Sequence, residues 1–311
     1  MQSGSDPDST FLVTLNGKPL EGHGYPQLGS FVLYGRGKWL ALHPGSPFDY
    51  GHPQYVSYFH STMSHNTVLV DGLNQVYRAS TNSAWQTELG GVCDAWVEST
   101  DACIMRTTHE GYKTINGILH TRTFFMLDEG WVFIHDYLRA EKSEDRDHTF
   151  DWELHTQETL SEGAQRILES DAFAVIPAYA DEIKHIDHQV KPGMIPVRFD
   201  EGLKKQESMV NQYYLRKSGP SAKFGVALIP LKKDEKPMTV KPLSPVTDRH
   251  RAEAFEVVGP RGHYVLLLNN GDTKAVTATV SGTKITTTEP AAAARIEEGK
   301  VLWFVEGKKP Q

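Results

Sequence analysis

Short apolar runs alternate with polar residues along most of the chain from Thr10 onward. They are FLVTL, SFVLYG, KWLALH, NTVLVDG, HTRTFFMLDEG, WVFIHDYL, KFGVALIPL, AFEVVG, HYVLLLNNG and VLWFVEG. The runs are rich in β-branched and aromatic residues, and a period of two is typical of strands that bury one face. The pattern therefore predicts a chain made mainly of strands.

Turn signals separate these runs and indicate hairpins. Asn16-Gly17 and Asn270-Gly271 are pairs that tolerate positive φ and close tight turns, and Gly35-Arg36-Gly37 is a further hairpin turn. The best helical candidate, Ala291 to Gly299, is long enough for only one or two turns. Without crossover helices a parallel sheet is not expected. The prediction is an all-β fold, an antiparallel multi-stranded β-sandwich of layered sheets with few or no helices.

Composition is that of a folded, soluble protein: 311 residues, 39% hydrophobic, 10% aromatic and 23% charged. The net charge of -7 argues against a nucleic-acid partner, although locally gathered positive groups could still bind an anionic substrate. No apolar run is long enough to cross a bilayer, and MQSGSDPDST at the start contains no visible signal peptide. Cys93 and Cys103 are spaced for a bridge between neighbouring strands, but two buried free thiols are the preferred interpretation.

Polar aromatic side chains are concentrated between residues 23 and 71, which contain five histidines and five tyrosines. Such a density on a strand scaffold suggests a functional site. Elsewhere, His120, His135 and His155 lie within apolar strands, where a single histidine is more often a hydrogen-bonded core residue than a ligand. Asp71 is read as a turn residue that closes its strand.

Four segments together resemble the β-rich C-terminal portion of the heparinase II/III-like polysaccharide lyases. They are GHGYPQLGSF, WLALHPGS, YFHSTMSHNTVLVDGLNQ and HTRTFFMLDEGWVFIHDYL. The resemblance implies a site-bearing β region over residues 11–138. It implies a continuing sandwich over 139–307 in the same compact domain, with tails at 1–10 and 308–311. Two polar connections, Arg139 to Asp151 and Lys232 to Arg251, are expected to loop out of the sheets.

The resemblance also implies a function. Such lyases cleave uronic-acid-containing polysaccharide by β-elimination in a cleft between a helical toroid and the β domain. The expected partners are therefore an anionic polysaccharide or oligosaccharide and an N-terminal helical toroid that this chain lacks. No cofactor is required for the chemistry, and the implied location is secreted or periplasmic. The alternative is a non-catalytic carbohydrate-binding or structural β module with a degenerate metal site.

Catalytic and substrate-binding candidates follow from the same resemblance. His23 matches a family histidine that reaches the substrate. Tyr50 lies in the loop where the family often places a further tyrosine at the sugar, with Tyr55 and Tyr58 as competitors for that role. Tyr55 and Trp85 are the candidates for substrate binding. Elimination needs a stabilised carboxylate, a base and an acid, and histidine and tyrosine can supply these.

Metal ligands of the family fall on Tyr25, His43 and His65, where the family has His, Asp and His. Two imidazoles suit zinc, but a phenol is a rare ligand because its pKa lies near 10. A structural zinc is thus one interpretation, with His60 or His52 as substitute ligands. The favoured interpretation has no metal, and Tyr25 and His43 hydrogen-bond to each other and join their strands.

Overall fold

The computed structural model describes residues 1–2, 9–15, 25–45, 50–76, 91–140, 146–199, 202–245, 251–270 and 274–310. Side chains are described for these residues except 15, 195–199 and 202–207. The strands are β1 (Phe11–Leu15), β2 (Ser30–Gly35), β3 (Lys38–Ala41), β4 (Val68–Val70), β5 (Val92–Glu98), β6 (Ala102–Tyr112), β7 (Ile118–Leu127), β8 (Val132–Ala140), β9 (His148–Thr156), β10 (Ser161–Glu162), β11 (Leu168–Glu169), β12 (Phe173–Pro177), β13 (His185–Phe199), β14 (Gly202–Gly219), β15 (Ser221–Pro230), β16 (Thr239–Leu243), β17 (Ala252–Gly259), β18 (Gly262–Asn269), β19 (Val276–Val280), β20 (Thr283–Thr287), β21 (Ala291–Glu297) and β22 (Lys300–Gly307).

Helical structure is confined to single turns within the described residues. They are α1 (Lys113–Asn116), a π turn (Tyr55–Phe59) and the 3-10 turns Thr62–Ser64, Ala164–Arg166 and Ala180–Glu182. No helix of the described residues is long and apolar enough to span a membrane. The turns Tyr55–Phe59 and Thr62–Ser64 lie between β3 and β4, where they form part of the candidate site.

All strand pairs are antiparallel, and the strands form five sheets. The sheet orders are β1-β2-β3, β10-β11-β12-β15-β8-β7-β6-β5, β13-β14-β9-β4, β16-β17-β18-β21-β22 and β19-β20. The predicted all-β fold of layered antiparallel sheets is confirmed. The Gly35-Arg36-Gly37 turn is also confirmed as the connection of a hairpin, with positive φ at Arg36 and Gly37.

The eight-stranded sheet is the central layer because both of its faces are apolar. Phe124 and Ile134 point into a core shared with the three- and four-stranded sheets. Phe125 and Phe133, their neighbours along the strands, point into a second core against the five-stranded sheet. That sheet packs its other face on the β19-β20 hairpin. The period of two thus places successive aromatic residues in different cores.

The best helical candidate, Ala291 to Gly299, is not a helix, because Ala291–Glu297 forms β21 between β18 and β22. Alanine has high helix propensity, but Ala291 and Ala293 pack in one core while Ala292 and Ala294 pack in the next. Packing on both faces of a sheet outweighs the local preference. The polar stretch Lys232 to Arg251 also differs from expectation, since it contains β16, which pairs with β17.

The cysteines are free, so no bridge forms between them. Although β5 and β6 are neighbours, their register places Thr107 opposite Cys93 and Glu98 opposite Cys103. Cys103 is buried as expected, whereas Cys93 is exposed. The pairs Asn16-Gly17 and Asn270-Gly271 include residues outside the described part of the chain.

A buried ion pair joins the central sheet to the loops that carry the site. Arg122 on β7 and Asp136 on β8 are cross-strand partners, and the guanidinium donates to both carboxylate oxygens, from Nε at 2.6 Å and Nη2 at 2.9 Å. Its Nη1 donates to the carbonyl oxygens of Gly29 and Asn66 at 2.6 and 2.9 Å. Trp152 Nε1 donates to Asp136 at 3.0 Å. The pair therefore connects the start of β2, the residue after His65 and β9.

Two histidines extend this network within the same buried layer. His120 Nε2 lies 2.5 Å from Asp136 Oδ1, and its Nδ1 lies 2.9 Å from His109 Nε2. The Gly111 N–H donates to His109 Nδ1, so His109 carries its proton on Nε2 and donates it to His120. Arg122, beside His120, also holds the pKa of Asp136 well below its usual range despite burial, which opposes ionisation.

Replacing Arg122 with Met should lower the free energy of unfolding by about 3 to 5 kcal/mol, because Asp136 would be left buried without its cation. Denaturant titration measures this loss. The matched control is Arg166→Met, which removes an ion pair with Glu162 whose side chains are each 39% exposed. That control should cost less than about 1 kcal/mol. Equal losses in the two variants would contradict the structural role given to Arg122.

The same network predicts a dependence of stability on pH. Burial, followed by the charges of His120 and Arg122, holds the pKa of His109 well below its ordinary value. Unfolded histidine has a pKa of about 6.5, so below that pH unfolding takes up a proton and the folded state loses stability as pH falls. His109→Phe should reduce the slope of the free energy of unfolding against pH by up to about 1.4 kcal/mol per pH unit. Denaturant titrations between about pH 5 and 6 would show it.

Above about pH 7.5 the free energy of unfolding should change with pH equally in the His109→Phe variant and the unchanged chain. At that pH His109 is unprotonated in both the folded and the unfolded state. A loss of packing lowers the stability of the variant by the same amount at every pH, whereas titration of His109 changes the slope. Comparing the two proteins at both pH ranges therefore separates the two effects. Identical slopes in the acidic range would mean that His109 takes up no proton on unfolding.

Candidate functional site

Three side chains from separate loops meet at the candidate site. Tyr25 precedes β2, His43 follows β3 and His65 follows the 3-10 turn Thr62–Ser64. The ring centroids of His43 and His65 are 4.4 Å apart, and the ring of Tyr25 lies 5.8 Å from His43 and 5.7 Å from His65. The structure therefore brings together the three residues that the resemblance assigned to a metal.

Asn66 fixes the relative positions of the loops that carry the two histidines. Its Nδ2 donates to the carbonyl oxygens of Phe31 and Leu42 at 2.8 and 3.1 Å. Its Oδ1 accepts from the backbone N–H and from Nδ1 of His155 at 2.7 and 3.0 Å. One buried amide thus joins β2, the end of β3 and β9 directly beside His43 and His65.

Hydrogen bonds define the tautomer of each imidazole in the pair. The Gly45 N–H donates to His43 Nδ1 at 2.8 Å, so neutral His43 carries its proton on Nε2. That Nε2 lies 2.7 Å from His65 Nε2 and donates to it. His65 Nδ1 in turn donates to the Ser61 carbonyl at 2.8 Å. The expected hydrogen bond between Tyr25 and His43 is replaced by the bond between the two histidines, and Tyr25 meets His43 edge to face.

Burial keeps the inner imidazoles neutral. The pKa of His65 lies well below its ordinary value because the ring is fully buried and because His43 is close to it. Burial also lowers the pKa of His155 to about 3, with His43 as the second cause. Each of these rings can therefore accept or donate a hydrogen bond at neutral pH without carrying charge.

An aromatic ridge, defined here as Tyr25, His60, Tyr55 and Tyr50, leads outward from the imidazole pair. Centroid distances along it are 4.3 Å from Tyr25 to His60, 4.9 Å from His60 to Tyr55 and 5.0 Å from Tyr55 to Tyr50. His60 is buried, whereas Tyr50 is 65% exposed. The predicted residues Tyr50 and Tyr55 are thus connected to the imidazole pair through successive ring contacts, and the outermost residue, Tyr50, is exposed.

His52, considered as a substitute metal ligand, contacts other groups than the pair in the described part of the chain. Its ring packs on Phe59 at 5.6 Å, and its Nδ1 accepts from the Gln54 N–H at 3.2 Å. The predicted residues His23 and Trp85 lie outside the described residues, so the structure does not place them, and their roles stay predictions.

A buried polar cluster lies next to the imidazole pair. It comprises Tyr58, Glu153, His155 and Gln212, of which His155 and Gln212 are cross-strand partners. The Tyr58 hydroxyl, Glu153 Oε1, His155 Nε2 and Gln212 Oε1 have no hydrogen-bond partner within the described part of the chain. Burial, with the nearby charge of Asp151, raises the pKa of Glu153 well above its usual range and favours its neutral form.

Of this cluster, the sequence interpretation places only Tyr58 at the site, as a competitor of Tyr50, and the structure buries Tyr58. The prediction that His155 is a hydrogen-bonded strand histidine agrees with its bond to Asn66, and the structure adds that it lies close enough to His43 to feel its charge. Asp151, Glu153 and His155 alternate in DWELHT, which is normally the signal of a solvent-facing strand. Here the segment around Tyr58 and Phe59 covers that polar face. Asp71, read as a turn residue, has φ 55° and also accepts from the Thr149 N–H at 2.9 Å.

Tyr25, His43 and His65 are the residues that the resemblance matches to the family's metal ligands. In this arrangement they do not fit a tetrahedral zinc ion. Zinc at about 2.0 to 2.1 Å from two imidazoles separates their nitrogens by about 3.3 Å, whereas these two are 2.7 Å apart and share a proton. His43 Nε2 carries a hydrogen, since its Nδ1 accepts from Gly45, and so offers no lone pair. No group of three or more His, Cys, Asp or Glu side chains in the described ranges is arranged to hold a metal.

Comparison with known proteins agrees with this architecture. A family model described as heparinase II/III-like, C-terminal, matches residues 1–215. The crystal structure of heparan sulfate lyase HepC from Pedobacter heparinus is similar with a TM-score of 0.66 at 14% identity, over 86% of this chain and 40% of that one. The crystal structure of Heparinase III gives a TM-score of 0.62 at 15% identity, over 86% and 40%. No curated protein matches the chain.

The chain therefore spans about 40% of the length of these solved structures. At this identity the similarity shows the fold, and residue roles are not transferred by it.

Metal analysis tests the interpretation of the imidazole pair. Because the facing nitrogens share a proton, we expect the purified chain to contain substoichiometric zinc by mass spectrometry. Incubation with EDTA should leave its melting temperature unchanged. The control is His65→Asn, which removes one member of the pair. Stoichiometric zinc in the unchanged chain that is lost from His65→Asn would establish a metal site and contradict the hydrogen-bonded arrangement.

Proposed function

Because the chain belongs to the heparinase II/III-like C-terminal family, we propose that it forms the β part of a polysaccharide lyase. On this proposal it contributes one side of a cleft in which uronic-acid-containing polysaccharide is cleaved by β-elimination. The observation that carries the proposal is the aromatic ridge that leads from exposed Tyr50 to the buried imidazole pair.

The proposed reaction removes the proton at C5 of a uronate and expels the glycosidic oxygen at C4. It needs donors that stabilise the carboxylate as charge develops, a base for the proton and an acid for the leaving oxygen. Tyr50 is the proposed acid because its phenol is accessible at the outer end of the ridge. His23 is the proposed contact to the sugar, on the basis of the family resemblance alone. Tyr55 offers an adjacent aromatic surface.

The remaining groups of the cleft are proposed to come from a helical domain, as the resemblance implies. The match to 40% of each solved neighbour supports this arrangement. No cofactor is proposed for the chemistry, since neither proton transfer nor expulsion of the leaving oxygen requires one. The same resemblance supports a location outside the cytoplasm, in the periplasm or beyond the cell.

A carbohydrate-binding module without catalysis is the second candidate. The hydrogen-bonded imidazole pair, whose buried member His65 has a lowered pKa, favours it, because that pair differs from the metal-binding residues implied by the resemblance. The exposed phenol of Tyr50 can pack against a sugar ring in either function. Both candidate functions therefore predict that the chain binds a saccharide, but only the lyase predicts turnover.

Binding of heparan sulfate oligosaccharides, measured by calorimetry, tests the shared part of both candidates. Tyr50→Ala should weaken binding about tenfold because it removes the exposed aromatic surface. Trp39→Ala is the matched control: Trp39 is also exposed, at 48%, but packs on Tyr34 and lies outside the ridge. Equal loss in both variants, or no binding by the unchanged chain, would contradict a saccharide site at the ridge.

Product analysis by mass spectrometry at high chain concentration separates the candidates. Slow release of unsaturated uronate ends that is lost in Tyr50→Phe is expected for the β part of a lyase. Retained binding with no unsaturated ends supports the binding module. Rapid turnover by the chain alone would show a self-sufficient enzyme and overturn the proposal that other residues complete the cleft.

A further inference from the structure

We propose that Lys191 binds an acidic group of the polysaccharide, a uronate carboxylate or a sulfate, at the edge of the imidazole site. This inference rests on the proposed function and identifies a positively charged subsite within it. Lys191 lies on β13, outside the segments that carry the family resemblance in the sequence.

The β13-β14 hairpin reaches the loop that carries His43. The Met194 N–H donates to the Pro44 carbonyl at 2.5 Å, and the Met194 side chain packs with Tyr58 and Phe59. Gly45 has φ +83°, and a Cβ there would lie 2.1 Å from the Met194 carbonyl oxygen. Only glycine permits this approach, so the hairpin forms one boundary of the site directly beside the imidazole pair.

Strand register places Lys191 on the same face as the buried polar cluster. Gln189 is opposite Gln212, which is opposite His155, and Lys191 is two residues further along the same strand. The Lys191 ammonium lies 5.9 Å from the centroid of the Tyr58 ring. Its charge acts on both Glu153 and His155. Among the side chains that the structure describes on this face, Lys191 is therefore the cation closest in register to the imidazole site.

The Lys191 ammonium has no ion-pair partner within the described ranges. Other partly buried lysines are each matched by a carboxylate: Lys217 by Glu182 at 2.7 Å and Lys113 by Glu110 at 2.8 Å. Two carboxyls share one register row on this face, four residues from Lys191 along the strands. Glu153 is fully buried, which favours its neutral form, and Asp187 is half-buried and accepts from the His188 N–H at 2.9 Å. A partly exposed ammonium without an ion-pair partner is available to an anion from outside, and carboxylate and sulfate oxygens are suitable acceptors.

Calorimetric titration with a heparan sulfate oligosaccharide of defined length, and with its desulfated counterpart, tests this assignment. Lys191→Met keeps the apolar stem over Tyr58 and removes the charge, so it should weaken binding about tenfold. It should also reduce the dependence of Kd on salt. Lys191→Arg should restore most of the affinity. The matched control is Lys284→Met, an exposed lysine on β20.

Loss of affinity for both saccharides in Lys191→Met would identify the uronate carboxylate as the bound group, and loss for the sulfated one alone would identify a sulfate. If the unchanged chain binds and Lys191→Met binds with the same Kd, the assignment of Lys191 is overturned while the proposed function stands. If the unchanged chain binds neither saccharide, the proposed function fails and this inference fails with it.

Discussion

The buried guanidinium of Arg122 determines where the loops of the candidate site lie. Two of its nitrogens bind the Asp136 carboxylate, and the third donates to the carbonyl oxygens of Gly29 and Asn66. A buried charge is tolerated only when its hydrogen bonds are satisfied, so these two carbonyls have one favourable position against the central sheet. His65 directly precedes Asn66. The imidazole pair is therefore positioned by an ion pair that does not contact it.

The layered architecture explains why such an ion pair can exist. The eight-stranded sheet is covered on both faces, and most of its inward-facing residues are apolar. Arg122 and Asp136 occupy neighbouring strands in this buried layer, where their attraction is strong and Trp152 and His120 also bind the carboxylate. The cost of desolvating the ions is offset because each of the three guanidinium nitrogens donates to a protein oxygen. The polar network can therefore specify loop positions without weakening the core.

The sequence predicted most strands because buried and exposed residues alternate clearly in segments such as SFVLYG and WVFIHDYL. It failed at Ala291 to Ala294, because alanine has no branched or aromatic side chain to indicate a strand and only packing between two cores makes it one. Tyr25, His43 and His65 could be grouped because the family resemblance aligned them. Glu153 and His155 could not be assigned to the site from the sequence. Polar and apolar residues alternate on β9 in the same way whether its polar face meets solvent or is covered by a distant segment. Lys191 reaches the site only through the long β13-β14 hairpin, whose register no local pattern specifies.

Charge at the candidate site is set by burial rather than by the number of ionisable residues. His65 and His155 are neutral at physiological pH because the cost of charging a buried imidazole exceeds any attraction nearby. Glu153 is shifted toward its neutral form for the same reason. The Lys191 ammonium at the edge of this region has no ion-pair partner within the described part of the chain, so it adds positive charge beside the imidazole site. A chain with a net charge of -7 can thus still present a locally positive surface to an anionic polysaccharide.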